Sequence, residues 1–180
     1  MLRFAVRNWE KDYGIKTIVQ CMAWQGPEQE LSPKLEGITA LIDTHHAEGY
    51  RVSLLGTSAG GSAAINAFVL RKDKVHRVIN VCGRLRRGDG AQPTLGKAAR
   101  TSRSFYDSVL ACEEHVAKFT NEDCRKILTF RPLFDELVPP STVTVPGAKN
   151  VRLPTIEHIM SIVSAITMFS RSIVECIQEE

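Results

Sequence analysis

Three residues in a fixed order could carry covalent chemistry here: a serine within Gly56-Thr57-Ser58-Ala59-Gly60, then Asp135, then His158. A serine hydroxyl is a weak nucleophile until a base removes its proton and a third group orients that base. The chain supplies all three types, with an aspartate 77 residues after the serine and a histidine 23 residues after the aspartate (135 − 58 and 158 − 135). The chemistry implied is acyl transfer: attack of Ser58 on an acyl carbon, proton transfer to His158, and stabilisation of the resulting imidazolium by Asp135. In a Gly-x-Ser-x-Gly string the serine sits on a sharp strand-to-helix turn, where side chains two residues to either side would collide. Gly56 and Gly60 are expected to remove them. The N-terminal dipole and free N–H groups of the helix that follows favour developing negative charge nearby.

Each residue has a plainer role to compete with. Ser58 could cap the following helix, Glu136 and Asp123 rival Asp135 as the acid, and a histidine at a helix start is often only structural. His45 and His46 late in a helix, His76 at a strand start and His115 on a helix are read as structural or solvated.

The elements that must position these residues follow from hydrophobic periodicity. Leu2, Ala5, Val6, Trp9 and Tyr13 fit a helix over residues 2 to 13. Thr17–Trp24 reads as a buried strand between Gly14 and Gly26. Ser32-Pro33 reads as the cap and first position of a helix with the stripe Leu35, Ile38, Leu41 and Ile42, ending at Gly49. Arg51–Gly56 is a strand, Ala59–Ala67 opens a helix, and Val75–Cys82 is the next strand. Residues 97 to 118 are mostly helical, Lys126–Phe130 is a short strand, and a weak strand lies near Asn150–Leu153. One long helix closes the chain, with Ile159, Ile162, Val163, Ile166, Phe169, Ile173 and Ile177 as its stripe. Strands alternating with helices imply an α/β fold with a mainly parallel sheet covered on both faces.

Composition sets the outer limits. At 180 residues, 43% hydrophobic and 24% charged, the chain suits one packed domain. A net charge of +3 gives no basis for a nucleic-acid partner. No apolar run is long enough for a membrane span or a signal peptide, and five cysteines without metal-type spacing suggest free thiols and a cytoplasmic setting. No cofactor or metal is expected. Between Arg84 and Arg103 lie Arg84, Arg86, Arg87, Lys97, Arg100 and Arg103 against the single acid Asp89, with Gly88, Gly90, Pro93 and Gly96. The stretch reads as a solvated loop or as part of a small cap or lid spanning 84 to 118.

Taken together, the elbow GTSAG, the loop DELVP carrying Asp135, and a histidine before the last helix resemble the α/β-hydrolase superfamily from about residue 15 onward. That resemblance implies a serine esterase, lipase or thioesterase acting on a small acyl substrate, with the N–H of Ala59 as the first oxyanion donor. The front departs from the pattern: the second oxyanion donor usually comes from a loop after an earlier strand, and no such Gly-rich turn precedes residue 26. The expected fold is thus a minimal version lacking N-terminal strands, with the sheet beginning at Thr17–Trp24 and any second donor near Trp24–Gly26. The competing reading is a binding protein of the same fold with an incomplete oxyanion hole.

Overall fold

The computed structural model describes residues 2–88 and 93–179; Asp89 and Gly90 of the basic stretch lie outside the described residues. Four parallel strands form one sheet in the order β1-β2-β3-β4: β1 (Val52–Thr57), β2 (Val75–Val81), β3 (Ile127–Arg131) and β4 (Lys149–Arg152). The register pairs Leu55 with Ile79, Asn80 with Thr129, and Phe130 with Val151. Successive side chains leave opposite faces of a strand, and the two hydrophobic clusters follow that period. Ile79, Val81, Leu128 and Phe130 pack on one face against Trp9, Ile162, Ile166 and Ile173. Val78 and Ile127 pack on the other against Ile42, Ile65, Phe68 and Cys112.

The first face is covered by α1 (Leu2–Ala5), α2 (Trp9–Tyr13) and the last two helices, α8 (His158–Ile166) and α9 (Ser170–Gln178). On the second lie α3 (Leu31–Ala47), α4 (Gly60–Leu70), α6 (Arg103–Val116) and the short α7 (Asn121–Arg125). The remaining helix, α5 (Pro93–Thr101), leads into α6. Small residues let α4 sit close to the sheet, with Gly61, Ser62, Ala63, Ala64 and Ala67 all buried. Against α4, α6 makes buried polar contacts: Ser62 and Ser108 hydroxyls lie 2.8 Å apart, and Asn66 Nδ2 donates to Ser108 O at 2.9 Å.

Several expectations need correction. Thr17–Trp24 alternates between half-buried and exposed positions up to Gln20, yet it joins no strand and turns at Ala23, where φ is 43°; the sheet begins at β1, which is an edge. Strand-forming side chains gave the segment its shape, but a ladder needs a neighbouring backbone at about 4.8 Å, and a cavity lies between this segment and β1. Ser32 does not cap α3. The helix starts two residues earlier than expected, at Leu31 with Glu30 as the N-cap and no side-chain cap bond. Pro33 is tolerated in the first turn because N–H groups there lack intrahelical partners anyway.

The expected helix over 2 to 13 is two short helices. The helical stretch from 97 to 118 breaks at Ser102, whose hydroxyl accepts from Phe105 N and caps α6. The closing helix is bent by 53° between α8 and α9. There Thr167 Oγ1 donates back to Val163 O at 2.7 Å, a bond that loosens helical geometry. Among the described residues no single helix is long and apolar enough to cross a membrane; α8 and α9 meet that test only as a bent pair.

Candidate active site

Ser58 occupies the turn between β1 and α4 with φ of 49°, a left-handed conformation unusual for a residue with a Cβ. Such strain persists only where surrounding structure enforces it, and here the enforcement is visible. Ser58 N donates to Val81 O at 3.0 Å, and Gly61 N donates to Ser58 O at 3.0 Å. A Cβ on Gly56 would collide with the carbonyl of Gly60, so glycine is required there as the motif implied. Gly60 differs: a Cβ there would meet nothing within 4 Å, so the collision expected of Gly60 does not occur. The glycine required beyond the serine is Gly61, whose Cβ would strike Asn80 Oδ1 and lie 2.9 Å from Gly83 Cα.

Asn80 is a part of the site that sequence reasoning passed over. It is fully buried on β2, and its Nδ2 donates to Gly83 O at 2.9 Å and Val143 O at 3.1 Å. The amide thereby fixes the loop after β2 against which the elbow rests. A polar residue inside the apolar run Val78-Ile79-Asn80-Val81 was the available signal. Cys82, just beyond, is also left-handed at φ of 54°, and burial, helped by the nearby Asp135 charge, pushes its thiol up to about 12.

Asp135 and His158 come from loops and helix starts beyond β3 and β4. Asp135 Oδ1 accepts from Leu137 N at 2.9 Å and Val138 N at 2.7 Å, so the DELV turn wraps around its own carboxylate. Burial would raise that carboxyl, but hydrogen bonds from His158 and from the Val138 and Leu137 N–H groups outweigh it and hold it below its ordinary value. His158 is the first residue of α8, whose N-cap Glu157 accepts from Ile159 N and Met160 N. The rival acid Glu136 is exposed and accepts from His158 N at 3.1 Å, bracing the helix start rather than the ring. The other rival, Asp123, is engaged in the capping box of α7 and an ion pair with Lys72.

The three expected residues meet. His158 Nε2 lies 2.8 Å from Ser58 Oγ, and His158 Nδ1 lies 2.7 Å from Asp135 Oδ2. The His158 and Asp135 side chains are 1% and 0% exposed, so water barely competes for the buried link. The other histidines take no part in this relay: His45 bonds Glu48, His76 bonds Glu179 O, His115 bonds Asn66 Oδ1, and His46 lies in the last turn of α3. Among the described residues no cluster of His, Cys, Asp or Glu could hold a metal ion.

Ser58 opens into a cavity of about 930 Å³ whose walls include Ile18, Trp24, Ile42, Leu54 and Phe105. Ala59 stands at the N-cap of α4, where backbone N–H groups lack helical partners. Across the same cavity is the turn Ala23–Gly26, with Ala23 at φ of 43°.

No protein-family model and no curated protein sequence matches the chain. Solved structures do. A metagenome-derived lipolytic enzyme, reported under LipS and LipT, aligns over 97% of this chain and 84% of its own at 13% identity with a TM-score of 0.70. A hydrolase from Oleispira antarctica aligns over 99% and 86% at 15% identity, TM-score 0.66. The chain has the α/β-hydrolase fold. A meta-cleavage product hydrolase from Pseudomonas fluorescens also aligns, over 98% of this chain and 84% of its own at 15% identity, TM-score 0.60. Within the α/β-hydrolase fold, this chain is a minimal form with four strands described and its serine turn on the edge strand.

Proposed function

We propose that this α/β-hydrolase-fold chain is a serine hydrolase that cleaves a carboxylic ester or thioester through an acyl-serine intermediate. One observation carries the reading: the unbroken chain Ser58 Oγ, His158, Asp135, with links of 2.8 and 2.7 Å, whose serine lines a large cavity. His158 Nε2 takes the hydroxyl proton as Ser58 Oγ bonds to the acyl carbon. Asp135, held ionised, accepts from Nδ1–H and stabilises the imidazolium. The imidazolium then protonates the departing alcohol or thiol. Water, deprotonated by the same imidazole, attacks the acyl-serine, and release of the carboxylic acid returns the proton to Ser58.

Ala59 N–H is the first oxyanion donor in this scheme, and the second is drawn from the turn Ala23–Gly26. Lys34 Nζ donates to Met22 O and Ala23 O at 3.0 and 2.9 Å, and Gly26 N donates to Ala23 O at 2.8 Å, which holds that turn. Five unpaired cysteines fit a reducing, cytoplasmic setting.

A fluorophosphonate probe tests the reading. The wild-type chain should label at Ser58 and hydrolyse short esters, and Ser58→Ala should lose both while keeping its melting temperature within a few degrees. If Ser58 were only a cap, Ser58→Ala would lose about 1 kcal/mol of stability with activity retained. A chain that binds acyl ligands but never labels would be a binding protein of this fold instead.

A further inference from the structure

We propose that the cavity beside β1 is a subsite for a straight acyl chain of up to about twelve carbons; this rests on the acyl-serine reading above. One wall of the cavity runs the whole length of β1. Val52, Leu54, Leu55 and Thr57 all line it, with Ser58 at one end. The facing wall is the segment Ile18–Gly26, which ends in the turn Ala23–Gly26, and its direction can be read from contacts at either end. Lys16 Nζ donates to the Tyr50 hydroxyl at 3.5 Å and lies 4.6 Å from the ring centroid, which sets the start of the segment beside the start of β1. At the other end Trp24 meets Phe105 of α6 edge-on at 5.5 Å, and Arg103 N donates to Gln29 Oε1 at 3.0 Å. The segment therefore runs alongside β1 in the same direction, and Trp24 with Phe105 forms a wall near the Ser58 end.

The chemistry of the lining selects the occupant. Ile38, Leu41 and Ile42 from α3 form the floor, and Ile18, Val19 and Met22 line the facing side. Ile18 is 50% exposed, an apolar side chain left open to the groove. The distal end is polar: His45 lines the cavity and its ring stacks edge-on against Tyr50 at 5.8 Å. An apolar trough leading from a nucleophile to a polar stop suits an alkyl tail. The free edge of β1 offers backbone groups to a peptide as well, but aliphatic side chains from two further elements favour the alkyl chain. Five residue steps from Val52 to Thr57 span about 16 Å at a strand rise of about 3.3 Å. An extended alkyl chain with bonds of about 1.5 Å advances about 1.25 Å per carbon, so the groove takes about twelve.

The test is a series of p-nitrophenyl esters with straight acyl chains from acetate to palmitate. The value of kcat/KM should rise about two- to fourfold per methylene up to about dodecanoate and then level or fall. Ile18→Trp, near the distal end, should lower the dodecanoate-to-butyrate ratio at least tenfold. A flat profile, an unchanged ratio in Ile18→Trp, or faster turnover of extended peptide esters than of dodecanoate would overturn the proposal. Calorimetry of dodecanoate binding to Ser58→Ala separates the two failures. Dodecanoate bound by a chain that hydrolyses no ester would sink the serine reading. Short esters cleaved at Ser58 by a chain that ignores dodecanoate would sink the groove alone.

Discussion

At the scale of single residues, the site depends on backbone positions as much as on the reacting side chains. Gly61 and Gly60 are adjacent in sequence yet differ in what surrounds them: one faces Asn80 and Gly83, the other open space. Gly61→Ala should therefore displace the elbow, and a displacement of about 1 Å is enough to cost about 100-fold in rate. Gly60→Ala should label with a small phosphonate at nearly the wild-type rate. Timed labelling of the two variants, with circular dichroism to establish folding, checks both. Thiol chemistry gives a second residue-scale expectation. Cys82, Cys112, Cys124 and Cys176 are buried, and burial pushes each of these thiols up, whereas Cys21 is exposed. A disulfide reagent should find one fast thiol in the folded chain and four more only on unfolding; two or more fast thiols would contradict this packing.

Among the elements, the ion pairs that pin α3 to the turn before β2 make stability pH-dependent. Hydrogen bonds from Arg71 and Lys74 lower the Asp43 carboxyl from 3.8 to about 2. The folded chain thus binds this proton less readily than the unfolded one, so the contact stabilises above pH 3.8 and its contribution fades as pH falls toward 2. Asp43→Asn should unfold at lower urea than wild type at pH 7 and converge with it near pH 2; a constant difference at all pH values would show the effect is not electrostatic. Legibility in the sequence also divides by element. Strands β1 to β4 and the order of Ser58, Asp135 and His158 could be read because buried strands and the glycine-flanked serine impose local demands on residue type. Thr17–Trp24 could not be read correctly, because strand-forming side chains report local shape whereas pairing depends on what lies 5 Å away. The breaks at Ser102 and Thr167 were hidden for a related reason. Apolar periodicity continues across them, while side-chain bonds to the backbone end one helix and begin the next. The role of Asn80 is not legible in sequence because its partners, Gly83 and Val143, are brought to it only by the fold.

For the molecule as a whole, the relay joins residues 100 positions apart, from Ser58 to His158. The link closes only after β1, β2, β3 and β4 have aligned side by side, and all three pairings are parallel and distant in sequence. Pairings of that kind form late, because loop-closure entropy is lost before contacts compensate it. During refolding from urea, far-ultraviolet circular dichroism should recover first, as local helices such as α3 and α6 form. Competence to react with the phosphonate should recover in a slower phase; simultaneous recovery of both signals would argue against a late-closing sheet. The hydrogen bond between Ser58 and His158 thereby acquires a second use. A covalent probe added at successive times counts the molecules in which both halves of the chain have already found each other, so the site serves as its own clock for assembly.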